Sequence, residues 1–154
     1  MRNRFLFLTG LSLLLCTGFT QSFAQDASRR VPWTPDQVVE PAELAARINT
    51  DTALLILNTG PVDDIRNAVN IGAVQEKKNL RKMKQMLRKV PRDKEIVFYC
   101  GCCAMATCPN ILPAYNLLRE MGFTNFKILD IKETLAEDWM SKGYPMAAQT
   151  GGGQ

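Results

Sequence analysis

The chain contains no histidine. That absence excludes a Ser-His-Asp triad, a Cys-His protease pair, histidine-ligated zinc and a haem held by histidine. Any acid–base work falls to carboxylates, lysine, tyrosine, cysteine or backbone groups. An excess of charge of one sign is also missing. Nineteen Lys and Arg stand against 15 Asp and Glu, a net +4, and Arg2 and Arg4 hold two of the positive charges. This balance excludes the footprint of a nucleic-acid binder. Beyond the first residues no apolar run has the length of a bilayer span. Cysteines scattered along the chain, the mark of a disulfide-stapled domain, are lacking too.

What is present begins with residues 1–24, which read as a secretory signal peptide. Arg2 and Arg4 form a basic start, and residues 5–15 an apolar stretch too short to span a bilayer. Ser22 and Ala24 place small residues at a cleavage site. Leu15 precedes Cys16, where a lipid-anchor motif needs a small residue, so no lipid is expected there. Cleavage leaves about 130 residues, enough for one domain with a real core. The mature protein is expected outside the cytoplasm, in a bacterium the periplasm, with no membrane span.

The mature chain divides into an N-terminal arm over residues 25–37, a domain over 38–146 and a flexible glycine-rich tail over 147–154. Val38 and Val39 read as an edge strand. A helix starts near Pro41 and points Leu44, Ala45 and Ile48 one way. Residues 53–57 form an apolar run without alternation, the pattern of a parallel strand buried on both faces. A short strand is expected near 69–71. Over residues 79–90 an amphipathic helix sets Leu80, Met83, Leu87 and Val90 against a face of Arg81, Lys82, Lys84, Arg88 and Lys89. That charged face is read first as a solvated one, with an acidic partner or anionic surface as the alternative. Residues 96–99 are the clearest strand, with Cys100 as its last residue. A helix over 111–121 turns Leu112, Tyr115 and Leu118 to one face and stops at Gly122. A strand over 126–129 and a helix over 135–142 close the domain. Such alternation predicts a three-layer α/β domain with a mainly parallel sheet. Reactive sites in these sheets lie at the carboxyl ends of strands, where Cys100 falls.

Four of the five cysteines, Cys100, Cys102, Cys103 and Cys108, lie within nine residues. Bunched in this way they make a site rather than a scaffold. The loop runs Tyr99-Cys100-Gly101-Cys102-Cys103-Ala104-Met105-Ala106-Thr107-Cys108-Pro109-Asn110, with no charged residue. Loop amides and the following helix N-terminus favour thiolate over thiol, and thiolate is the nucleophile. No base is then required, which suits a chain without histidine.

These segments resemble the rhodanese-like sulfurtransferase domain, over residues 38–145. The likeness is best at Val97-Phe98-Tyr99-Cys100, at Leu118-Arg119-Glu120-Met121-Gly122-Phe123-Thr124-Asn125 and at Asp138-Trp139-Met140-Ser141-Lys142-Gly143-Tyr144-Pro145. The Tyr-Cys-Gly-Cys-Cys…Cys-Pro-Asn loop is similar to that of an exported, cysteine-rich bacterial branch. The resemblance implies a three-layer rhodanese-like fold. It implies that Cys100 carries sulfur, cycling between thiolate and persulfide, and that Gly101, Ala104, Met105, Ala106 and Thr107 cradle a small anionic sulfur donor. Cys102, Cys103 and Cys108 become auxiliary or resolving thiols, and a thiophilic acceptor takes the sulfur. No cofactor and no metal is expected. The chain departs from the family pattern in three places. Asn58-Thr59-Gly60 stands for Asp-x-Arg, Asp64-Ile65-Arg66-Asn67-Ala68 for Gly-His-Ile-x-Gly-Ala, and the long uncharged loop for a shorter one bearing arginine.

Three alternatives belong to other classes. Cys100-Gly101-Cys102-Cys103 is a Cys-x-x-Cys motif after a strand, which permits thiol redox chemistry. A thioredoxin fold would place that motif early and follow it with a hairpin, and the downstream pattern here is strand, helix, tail. Four thiolates could hold Zn²⁺ or Cu⁺, although the spacing is not that of a zinc knuckle. A non-catalytic interaction domain is the third. Trp139 and Phe123 are assigned to the core, Tyr99 to the sheet, Asp63 and Asp64 to a turn.

Overall fold

A computed structural model describes residues 31–148 of the chain. The expected signal peptide, Cys16, residues 25–30 of the arm and the tail from residue 149 lie outside the described residues. Five strands form one sheet: β1 (Val38–Val39), β2 (Leu55–Asn58), β3 (Ala68–Asn70), β4 (Ile96–Tyr99) and β5 (Phe126–Leu129). Their spatial order is β1-β5-β4-β2-β3, and every pairing is parallel. Three α-helices lie between strands, α1 (Pro41–Arg47), α2 (Lys77–Leu87) and α3 (Ile111–Glu120), and α4 (Leu135–Asp138) follows β5.

The central strand β4 is buried at all four positions because it has a neighbour on each edge and helices on both faces. Successive side chains point to opposite faces. Ile96 and Phe98 pack with Leu57 and Ile128 against Met83 and Leu87 of α2 and Ile111, Tyr115 and Leu118 of α3. Val97 and Tyr99 pack with Ile56 and Leu129 against Leu44 of α1, Ile48, Leu135 and Trp139. Edge strand β3 carries the partly exposed Val69.

Several boundaries differ from the expectations. The strand expected over 53–57 begins at Leu55 and includes Asn58, because Asp51 Oδ1 accepts the amides of Ala53 and Leu54 and holds them in a turn. Helix α2 starts two residues early and ends at Leu87, with Val90 closing a turn onto the Leu87 carbonyl before Pro91. Strand β4 ends at Tyr99, so Cys100 is the first residue beyond it. In α3 the buried face is Ile111, Ala114, Tyr115, Leu117 and Leu118, whereas Leu112 is exposed. The expected helix over 135–142 is two pieces. Its backbone leaves helical geometry at Trp139 (φ −125°, ψ −60°), and a 3₁₀ turn follows at Met140–Lys142. Trp139 causes the break: its fully buried indole donates to the Pro145 carbonyl at 3.1 Å and meets Tyr144 edge-on. Phe123 is buried, as expected.

Both ends of the described chain are tied down. Trp33 packs edge-on against Tyr115, whose hydroxyl donates to the Pro32 carbonyl at 3.0 Å. The portion of the arm from Val31 is therefore part of the domain. At the other end the Ala147 amide donates to the Asp64 carbonyl at 2.9 Å, so the domain extends to Ala147. Among the described residues no helix is long and apolar enough to cross a membrane.

Candidate functional site

Strand β4 delivers Cys100 to the carboxyl edge of the sheet, and the backbone turns at once. Gly101 takes φ +75°, a left-handed conformation in which a Cβ would meet Leu135 Cβ at 2.9 Å. Only glycine makes that turn without strain. The Gly101 carbonyl accepts the Leu135 amide at 2.8 Å, fastening the loop to the start of α4. The loop then passes Cys102, Cys103 and a 3₁₀ turn at Met105–Thr107 and enters α3 through Asn110. Pro113 in the first turn of α3 lacks an N–H that would have had no helical partner.

The four thiols converge. Cys102 Sγ stands 3.2 Å from Cys100 Sγ, 3.4 Å from Cys103 Sγ and 3.9 Å from Cys108 Sγ. All four are free, with Cys100 and Cys108 buried, Cys103 half-buried and Cys102 exposed. Partial desolvation of the sulfur against its neighbours pushes the Cys102 thiol up to about 11 even though the residue is exposed, and pushes Cys103 up as well. Cys108 is pushed up further, first by the neighbouring Cys100 thiol and then by burial.

Asn110 supplies the one side-chain amide in the cluster. Its Oδ1 accepts the Gln75 amide at 3.0 Å, which fixes the carboxamide plane and turns Nδ2 toward sulfur. Nδ2 donates to Cys100 Sγ at 3.2 Å and reaches Cys108 Sγ at 4.0 Å. Asn110 is 1 % exposed. The N-terminus of α3 opens at the next residue, and its dipole favours negative charge on the sulfur.

The segment after β2 closes the other side. A Cβ on Gly60 would lie 2.1 Å from the Cys100 carbonyl oxygen and 2.7 Å from Cys100 Sγ. Glycine there permits the close approach. Asn58 shapes this segment: its Oδ1 accepts the Gly60 amide, and its Nδ2 donates to the Val62 carbonyl and to Asp64 Oδ1. Thr59 donates through both its amide and its hydroxyl to the Tyr99 carbonyl. Tyr99 is structural: its hydroxyl accepts the Ile65 amide at 2.9 Å, and burial raises it far above the usual phenol range. Asp64, expected in a turn, instead lies in the irregular segment before Ile65, where its carboxylate accepts from Asn58 and Asn70.

The cradle implied by resemblance is narrower in the structure. The Met105 amide donates to the Ile131 carbonyl at 2.7 Å and the Thr107 amide to Ala104 at 3.1 Å. Those two amides already have partners within the fold. Ala104 and Ala106 line the same stretch without contacting Cys100 through any hydrogen bond. A cleft of about 440 Å³ opens beside the loop, lined in part by Val62, Gly101, Cys102, Leu135 and Met140. Cys102 is thus the thiol that faces solvent, and it stands over Cys100. Asn110 and Gly60, which the sequence reading left without roles, complete the site. Asn110 carried one signal, its place at the mouth of the helix after the cysteine loop.

A thiol set by the central strand of a parallel sheet against a helix N-terminus defines a thiol-centred α/β domain. A family model described as "Rhodanese-like domain" matches residues 40–131, more than half of the chain, and the chain belongs to that family. It is a family of sulfurtransferase type that also includes non-catalytic members. Comparison with curated proteins finds no match.

Proposed function

We propose that the mature chain is an exported sulfurtransferase that carries sulfane sulfur as a persulfide on Cys100. The observation that carries this reading is the oriented Asn110 amide, 3.2 Å from Cys100 Sγ at the start of α3. It is a donor placed for negative charge on that sulfur and on no other as closely. With thiosulfate, the Cys100 thiolate attacks the sulfane sulfur. A new S–S bond forms, the S–S bond of thiosulfate breaks, and sulfite leaves with the electron pair. A thiophilic acceptor then attacks the outer sulfur and restores the thiolate. The donor is small and anionic, and Asn110 with the α3 N-terminus supplies the favourable field in a loop lacking any cation.

A second reading, thiol redox chemistry, draws on the 3.2 Å separation of Cys100 and Cys102. Cyanide distinguishes the two. As acceptor it should yield thiocyanate in proportion to thiosulfate consumed, and Cys100→Ser should make none. Disulfide reduction without thiocyanate would favour the redox reading. Export is tested separately by N-terminal sequencing of the mature protein, which should begin at or near Gln25. A retained Met1 would refute it.

A further inference from the structure

We propose that Cys100, Cys102 and Cys108 form a three-coordinate site for a soft monovalent cation, Cu(I). The three sulfurs all lie within 4.8 Å of one another. Cys102 Sγ stands 3.2 Å from Cys100 Sγ and 3.9 Å from Cys108 Sγ. With metal–sulfur bonds of about 2.3 Å, three sulfurs around one ion stand about 4 Å apart. The Cys102–Cys108 pair already has that spacing, and the Cys100–Cys102 pair has to widen by about 0.8 Å, a change on the scale of a side-chain rotation.

The choice of ion follows from the donors. The chain has no histidine, and no carboxylate belongs to the cluster. An all-sulfur set selects soft ions. Structural zinc sites close with four protein ligands, and Cys103, although 3.4 Å from Cys102, does not lie within 4.8 Å of all three other sulfurs. Three thiolates satisfy Cu(I) in a plane. Cys100 and Cys108 are buried while Cys102 lies at the cleft, so an ion has an entry path and a ligand that can swing over it. The loop between Cys100 and Cys108 holds no charged residue, so nothing in it competes to neutralise the sulfurs. Each ligating thiol gives up its proton, which makes binding tighten as pH rises.

This inference goes beyond the sulfurtransferase reading and does not require it. The two exclude each other in time, because an ion on Cys100 occupies the sulfur that would carry the persulfide. The test uses reduced mature protein, kept anaerobic, and Cu(I) supplied by a chromophoric Cu(I) chelator. One Cu(I) per chain should transfer to the protein, and X-ray absorption should show sulfur as its sole ligand. Cys102→Ser and Cys108→Ser should each weaken binding at least tenfold, and Cys103→Ser by less than threefold. Cys102 is exposed, so its variant stays informative even where Cys108→Ser fails to fold. The proposal is overturned by no transfer from the chelator, by Cys102→Ser binding as tightly as the parent, or by Zn²⁺ displacing Cu(I). Failure here leaves thiocyanate formation untouched, and failure of sulfur transfer leaves Cu(I) binding untouched.

Discussion

At the scale of single residues, the site depends on two small groups that hold Cys100 from opposite sides. Asn110 offers Cys100 an amide whose orientation Gln75 fixes. Removing it in Asn110→Ala takes away a hydrogen bond to the sulfur that is anionic in the proposed attack, about 1.5–3 kcal/mol. Persulfide formation should slow by about 10- to 100-fold, measured by stopped mass spectrometry against the parent. Gly60→Ala drives a Cβ into the Cys100 carbonyl, and sulfur transfer should be lost with a stability loss of about 1–3 kcal/mol on thermal unfolding. Cys102 governs what happens next. It sits 3.2 Å from Cys100, and its thiol is pushed up to about 11 by partial desolvation, so at neutral pH it is protonated and a poor nucleophile. The persulfide should therefore last longest at neutral pH and shorten as pH climbs toward about 11, when the Cys102 thiolate attacks Cys100 Sγ, leaving a disulfide and sulfide. Cys102→Ser should abolish that pH dependence. Cys100 was legible in the sequence because a strand, a cysteine and a helix follow one another without interruption. Gly60 and Asn110 were not, because Gly60 meets Cys100 across strands β2 and β4, and the partner that orients Asn110 lies 35 residues away.

At the scale of elements, apolar pattern placed the strands well where tertiary burial was strongest. Residues 126–129 were read with their observed limits, since Phe126, Ile128 and Leu129 are buried and Gly122 closes the preceding helix. Helix faces were harder. The i, i+3 spacing of Leu112, Tyr115 and Leu118 is a legitimate stripe, yet α3 buries Ile111, Ala114 and Leu117 beside Tyr115 and Leu118, rotating Leu112 into solvent. The reason is packing: Ile111 and Ala114 enter the same core cluster as Tyr115 and Leu118, so the buried stripe runs one position away from Leu112. Leu118→Ala should cost about 2–5 kcal/mol, whereas Leu112→Ala should stay within about 0.5 kcal/mol, both read from denaturant midpoints. The interruption at Trp139 was invisible for a similar reason, because the indole's partner is the backbone of Pro145 and not a feature of the helix itself.

At the scale of the molecule, a parallel sheet places a thiol cluster beyond the carboxyl end of its central strand and buries Cys100 and Cys108 there. That burial has a consequence for stability. Cys102, Cys108 and Tyr99 all keep their protons more tightly in the fold than at their ordinary values. At high pH the unfolded chain therefore binds fewer protons than the native one, and stability falls as pH rises. The stabilisation from Cys102 is complete below 9.0 and is lost toward about 11, with Cys108 and Tyr99 extending the loss upward. Thermal unfolding should shift to lower temperature across that range, and Cys108→Ser should flatten the decline. An unchanged slope would contradict it. The proposed function rests on a narrower point, that Cys100 and no neighbour carries the sulfur. Reduced mature protein is exposed in turn to thiosulfate, a polysulfide and a low-molecular-weight persulfide, then alkylated, digested and mapped by peptide mass. The expected result is one added sulfur atom on the Cys100 peptide position, absent in Cys100→Ser and longer-lived when Cys102, Cys103 and Cys108 are all serine. No sulfur on Cys100 from any of the three donors would contradict the assignment.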